Sequence, residues 1–130
     1  MADTILQSDD LDRASLDMLA DLIAPSDMCE LVALYLDQIG ERIARIRELS
    51  AAGDCLALAK EAHVVISTAG NLGMPQVSAL ARTIEEACKA GDRDGSRRLV
   101  DELIPMSGRA SEALRAWRDA KTATVEKAVA

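Results

Sequence analysis

Among side chains that serve as nucleophiles, proton carriers or soft metal ligands near neutral pH, the sequence offers one histidine, His63, and three cysteines, Cys29, Cys55 and Cys88. A neutral imidazole is a nucleophile, and a free pKa near about 6.5 keeps most of an unperturbed ring neutral at cytoplasmic pH. One histidine without clustered cysteines or carboxylates does not make a protein-only catalytic zinc site. The cysteines are odd in number and lack CxxC spacing. That argues against a disulfide framework and a zinc knuckle, and leaves them as reduced core residues. Neither a GxSxG elbow nor a GxxxxGKS or GxxxxGKT phosphate loop is present, so hydrolase and nucleotide-binding readings lack support. Any chemistry therefore centres on His63.

His63 falls in the middle of a helical pattern in which Leu58, Ala62, Val65 and Ala69 make one apolar stripe. At about 100° per residue the ring sits roughly 130° from the centre of that stripe, at its edge. An ordinary surface histidine fits that position. So does a ring held by neighbours yet reached by a partner.

The element that carries His63 is the third of five predicted helices. Leu11, Leu16, Leu19, Leu22 and Ile23 recur at helical intervals until Pro25 interrupts them. Asp27 with Glu30 three residues later has capping-box spacing, and opens a long second helix. Its predicted apolar face is Leu31, Leu34, Tyr35, Ile39, Ile43, Ile46 and Leu49, and Gly53 supplies a left-handed end. Asp54 caps the third helix, which stops near Gly70-Asn71-Leu72-Gly73. A fourth begins about Met74 with Pro75 in its first turn, bears Val77, Leu80, Ala81, Ile84 and Cys88, and ends at Ala90-Gly91-Asp92. The last segment, about 92–120, keeps Leu99, Leu103, Met106, Ala110, Leu114 and Trp117 in phase, with a kink expected at Pro105.

Short glycine-containing turns between long amphipathic segments predict an all-α, antiparallel up-down four-helix bundle with a short extra N-terminal helix. A length of 130 residues suits one domain, with its core at about 10–118 and a frayed tail at 119–130. Composition agrees. Hydrophobic residues make up 49% but aromatics only 2%, so Leu and Ala must build the core. A net charge of −7 with so few aromatics gives neither a positive field for phosphate backbones nor stacking platforms for bases, which argues against nucleic acid. Asp3, Asp9, Asp10, Asp12 and Asp17 crowd the first thirty residues, and no window holds eighteen uninterrupted apolar residues. Neither a signal peptide nor a membrane span is expected, and the predicted location is cytoplasmic. Asp9-Asp10-Leu11-Asp12 reads as a solvated charge cluster favouring the following helix dipole.

The run Ala62-His63-Val64-Val65-Ile66-Ser67-Thr68-Ala69-Gly70-Asn71-Leu72-Gly73, followed by Leu80-Ala81, Ile84-Glu85 and Ala90-Gly91-Asp92, resembles the histidine-containing phosphotransfer (HPt) domain. The segment Leu11 to Leu19 also looks like the start of that family, so the resemblance covers roughly residues 10–118. It implies a four-helix bundle with an extra short helix, and a phosphorelay role. His63 would accept a phosphoryl group from a receiver-domain aspartyl phosphate and pass it to another receiver. Glu85 would accept from Nδ1–H, leaving Nε2 to attack. The small residues Ser67 and Thr68, with Gly70, would admit the partner's loops, although Gly70 and Gly73 are equally well explained as a helix end. The implied partners are receiver domains of response regulators and hybrid histidine kinases. They would supply Mg²⁺ and a lysine, and this chain would need no cofactor of its own. No ATP site is expected, and a monomeric, stand-alone carrier is the simplest form.

One position departs from the family pattern. Where HPt domains usually place a lysine three residues after the histidine, this chain has Ile66. A cation there would stabilise the charge on the phosphoryl oxygens. Lys60, Arg82 and Lys89 are the candidate replacements. Ile66 also makes the patch around His63 more apolar, which favours docking to a receiver. Two functions remain open on the sequence: a phosphotransfer intermediate, or a phosphorylation-independent docking regulator of a receiver or kinase.

Overall fold

The computed structural model describes residues 11–129, with side chains to residue 123. Five helices follow in order: α1 (Arg13–Leu22), α2 (Pro25–Ala52), α3 (Cys55–Asn71), α4 (Pro75–Lys89) and α5 (Arg93–Val129). No strand occurs among the described residues. Each of α2 to α5 packs against the next, and α5 closes the ring against α2. Bonds between distant residues give the directions. Arg97 donates to the Ser50 carbonyl while Thr122 meets Cys29, so α2 and α5 run antiparallel. Glu85 meets His63 while Ser78 meets Ile66, so α3 and α4 do too.

Local chemistry sets the helix ends. Asp12 caps α1, its carboxylate accepting from the Ser15 amide at 3.2 Å, and the Ser15 hydroxyl donates to it as well. These two bonds hold the Asp12 carboxyl below its ordinary range. Asp9 and Asp10 lie outside the described residues. Gly53 ends α2 at φ 70°, where its N–H reaches the Leu49 and Ser50 carbonyls, and the Asp54 carboxylate accepts from Ala57 N to begin α3. Gly73 has φ 67° and lies so close to α1 that a Cβ would stand 2.9 Å from Leu16 Cγ. Its carbonyl accepts from Asp12 N at 2.7 Å, which fastens α1 over the α3–α4 turn.

The predicted stripes of α3 and α4 are the ones buried: Leu58, Ala62, Val65 and Ala69 on one, and Val77, Ala81, Ile84 and Cys88 on the other. Leu80 is half-buried. On α2 the buried face is Met28, Val32, Leu36, Ile39 and Ile46, and Leu34 is exposed. Of the predicted face, Ile39 and Ile46 are buried and Leu31, Tyr35, Ile43 and Leu49 half-buried, while Leu34 stands about 150° round the helix from the centre of the buried face. Helix α2 also starts earlier than expected. Pro25 opens it after Ala24, so Asp27 is not the cap but an acidic first-turn residue. In α1 only Leu16 is fully buried, and Leu22 is exposed. Cys88 is buried and Cys29 and Cys55 are half-buried, all as free thiols. Burial pushes the Cys88 thiol up from its ordinary value.

The C-terminal segment differs from the frayed tail expected at 119–130. Helix α5 passes through Pro105 and continues to Val129. Polar side chains hold it where the apolar pattern has ended. Lys121 Nζ is 2.9 Å from Asp17 Oδ1, the Trp117 indole donates to the same oxygen at 3.0 Å, and Thr122 meets Cys29 Sγ at 3.1 Å.

Candidate functional site

Helix α3 places His63 beside its buried stripe, and α4 places Glu85 next to the buried Ile84. Between them His63 Nδ1 lies 2.8 Å from Glu85 Oε2. The two ends differ in exposure: the His63 side chain is 70% exposed and Glu85 only 12%. A carboxylate only accepts, so the ring nitrogen facing it carries the hydrogen, and in the neutral imidazole Nε2 is then the nitrogen with the lone pair. The carboxylate is thus the fixed end of the contact and the imidazole the accessible one.

Further polar contacts hold α3 against both neighbours, one to α4 and a pair to α2. The Ser78 hydroxyl donates to the Ile66 carbonyl at 2.7 Å. Ser78 is two turns before Glu85, on the same side of α4. From the far side of α3, Glu61 is gripped by Arg42 at 3.0 Å and Arg45 at 3.3 Å, both from α2. Helix α3 is therefore held by polar contacts on both flanks as well as by its apolar stripe.

An open hollow lies next to the ring, lined by Leu56, Ala59, Lys60, His63, Glu85 and Lys89. Lys89 Nζ stands 3.6 Å from Glu85 Oε2, the same oxygen that meets His63. Lys60 and Lys89 border the hollow, whereas the exposed Arg82 does not line it. Leu56 is exposed despite its size, and lies only about 20° from His63 around α3, two turns earlier.

The other predicted site residues divide by helix phase. Ser67 and Gly70 are exposed on the His63 side of α3, one and two turns on. A Cβ at Gly70 would make ordinary contact with Ser78 Oγ. Thr68 is turned about 140° from the ring, and its hydroxyl donates to the Val64 carbonyl at 3.0 Å. It therefore does not border the approach to His63. Ile66 is half-buried and packs against the core. Sequence reasoning missed Leu56, Ala59, Ser78 and the Glu61 grip. Leu56 was recoverable, because a seven-residue spacing on a helix returns to the same face.

Among the described residues no group of three or more His, Cys, Asp or Glu side chains is placed to hold a metal ion. Nor is any described helix long and apolar enough to cross a membrane.

Comparison with known proteins gives two matches. The family profile described as the Hpt domain matches residues 30–121. In structure, the chain is similar to the crystal structure of histidine-containing phosphotransfer protein B from Pseudomonas aeruginosa PAO1. The TM-score is 0.79 at 19% identity, covering 86% of this chain and 96% of that one. No curated protein shows significant sequence similarity to the chain.

Proposed function

The chain belongs to the Hpt domain family, and from that membership and the site geometry we propose that it is a phosphorelay intermediate whose phosphoacceptor is His63. One observation carries the reading: an exposed imidazole fixed through Nδ1 by a nearly buried carboxylate, with Nε2 open to an incoming phosphorus. Orientation is the main contribution a protein makes to such a transfer, since the ring already has the nucleophilicity required.

The step follows from that arrangement. Nε2 attacks the phosphorus of an aspartyl phosphate in a receiver domain. The N–P bond forms as the bond from phosphorus to the aspartyl oxygen breaks, and the carboxylate leaves on the receiver. His63 keeps its Nδ1 hydrogen and takes on positive charge. Glu85 faces that charge at 2.8 Å and stabilises it as it develops. Attack on the phosphohistidine by the aspartate of a second receiver reverses the sequence. A receiver's Mg²⁺ and lysine would supply cations for the phosphoryl oxygens, with Lys60, Arg82 or Lys89 as the candidates on this side. The open hollow and the small residues Ser67 and Gly70 give the partner access to the ring.

Ile66, at the position where related domains carry a lysine, favours a second reading in which the same face docks receivers or kinases without transfer. Incubation with a phosphorylated receiver separates the two. A carrier takes up label that is acid-labile, alkali-stable and mapped to His63 by mass spectrometry. A docking regulator binds the receiver and stays unlabelled, although a reference HPt domain accepts phosphate from the same receiver.

A further inference from the structure

We propose that Lys89 is the phosphoryl-binding cation of this chain, and that it exchanges its pairing with Glu85 for the phosphoryl oxygens when His63 is phosphorylated. This rests on the phosphotransfer reading above. Ile66 leaves α3 without a cation one turn after His63, so the charge must come from elsewhere.

Side-chain direction distinguishes the three cations nearby. Helical side chains lean toward the N-terminus of their helix. Lys60 precedes His63 on α3, so it leans away from the ring, toward Leu56. Arg82 precedes Glu85 on α4 and leans away in the same sense, and it does not line the hollow. Lys89 follows Glu85, so it leans back toward the carboxylate and the ring beyond it. Its position agrees: Nζ is 3.6 Å from Glu85 Oε2, one oxygen away from His63 Nδ1.

The present pairing is easily exchanged. A charge-assisted bond is about 2.7 to 2.9 Å long, whereas the Lys89 contact is 3.6 Å with the lysine 68% exposed. Exposed pairs of this kind contribute little. A phosphoryl dianion on Nε2 offers more charge and three acceptor oxygens. When Lys89 moves to it, Glu85 is left facing the ring alone, at the moment the ring becomes positive. One lysine movement thus stabilises both new charges.

The test uses a small donor that needs no docking partner. With phosphoramidate, Nε2 attacks phosphorus, the donor's P–N bond breaks, ammonia leaves, and the ring keeps its Nδ1 hydrogen. The full chain is phosphorylated in this way as wild type, Lys89→Ala, Lys89→Arg and Lys60→Ala, and the second ionisation of the phosphoryl group is followed by ³¹P NMR. Lys89→Ala is expected to raise that midpoint by about half a unit to one unit. Lys89→Arg should hold it near wild type, and Lys60→Ala should leave it unmoved. A Lys89→Ala midpoint equal to wild type overturns the assignment, as does an equal shift in Lys60→Ala. If Lys89 only steadies Glu85, its removal alters the titration of the unphosphorylated ring but not of the phosphoryl group, which also overturns it. Wild type that takes no phosphate on His63 overturns the phosphotransfer reading as well, a result distinct from phosphorylated proteins with equal midpoints.

Discussion

Glu85 Oε2 lies 2.8 Å from His63 Nδ1, joining residues twenty-two positions apart across the seam between α3 and α4. The carboxylate is nearly buried and the ring open. This asymmetry holds the ring in a fixed orientation while leaving its second nitrogen to a partner.

Removal of that contact should slow transfer without unfolding the chain. A hydrogen bond to a charged group is worth about 1.5 to 3 kcal/mol, so Glu85→Ala is expected to reduce the single-turnover rate from a phosphorylated receiver by about 10- to 100-fold. Glu85→Gln keeps an acceptor but loses the charge, and should fall between. A Glu85→Ala rate equal to wild type would show that the carboxylate is ordinary helix surface.

Leu56 should matter for binding. It stands exposed beside the ring in the hollow, and burying a leucine against a partner contributes roughly 1.5 to 3 kcal/mol. Leu56→Glu is therefore expected to raise the receiver Kd by about tenfold or more in calorimetry, with an unchanged circular dichroism spectrum. An unaltered Kd would place the docking surface elsewhere.

Two glycines with similar backbones should respond differently to alanine. Gly73 and Gly91 have φ of 67° and 74°. A Cβ at Gly91 meets nothing within 4 Å, whereas one at Gly73 meets Leu16 Cγ at 2.9 Å and the Asp12 carbonyl at 3.1 Å. Gly91→Ala should cost about 1 to 2 kcal/mol for the left-handed backbone alone. Gly73→Ala should cost clearly more in urea unfolding, because α1 must shift. Equal losses would mean that the packing of α1 on this turn contributes nothing.

Acid should loosen the junction of α1 with α5. Lys121 and then the Trp117 indole hold the Asp17 carboxyl below its ordinary 3.8. The folded state therefore binds fewer protons than the unfolded state as that range is crossed. The stability Asp17 contributes is fully present above 3.8 and is lost as pH falls through the depressed folded value. Asp17→Asn should lower the melting temperature at neutral pH, and the gap to wild type should close on acidification. A gap independent of pH would show that the charge is not involved.

The buried stripes of α3 and α4 were legible because Leu58, Ala62, Val65 and Ala69, and Val77, Ala81, Ile84 and Cys88, recur at helical spacing after clear start signals, the Asp54 cap of α3 and Pro75 in the first turn of α4. Asp54 begins α3 and Gly53 ends α2, each where its chemistry predicts. Helix α2 was less legible. Apolar residues occupy more than half its circumference, so the phase of its buried face is set by what packs against it, and Leu34 is left outside. The end of α5 was hidden for another reason. Its apolar repeat stops at Trp117, and Lys121 and Thr122 continue the packing with polar bonds to α1 and α2 that no periodicity reveals. At the site, His63 was singled out by its uniqueness, but Glu85 entered through family resemblance, since a contact between two helices depends on their relative height. Thr68 shows the converse. The family resemblance implies a role for it in partner access, but five positions along the helix turn it about 140° from the ring, and its hydroxyl bonds the Val64 carbonyl.

The most direct measurement of the central claim follows receiver binding and phosphoryl transfer together in wild type and His63→Gln. The account predicts that wild type takes up acid-labile, alkali-stable label from a phosphorylated receiver, and that His63→Gln binds the receiver with similar affinity and takes up none. Label on His63→Gln equal to wild type, or wild type that binds and remains unlabelled, would contradict it.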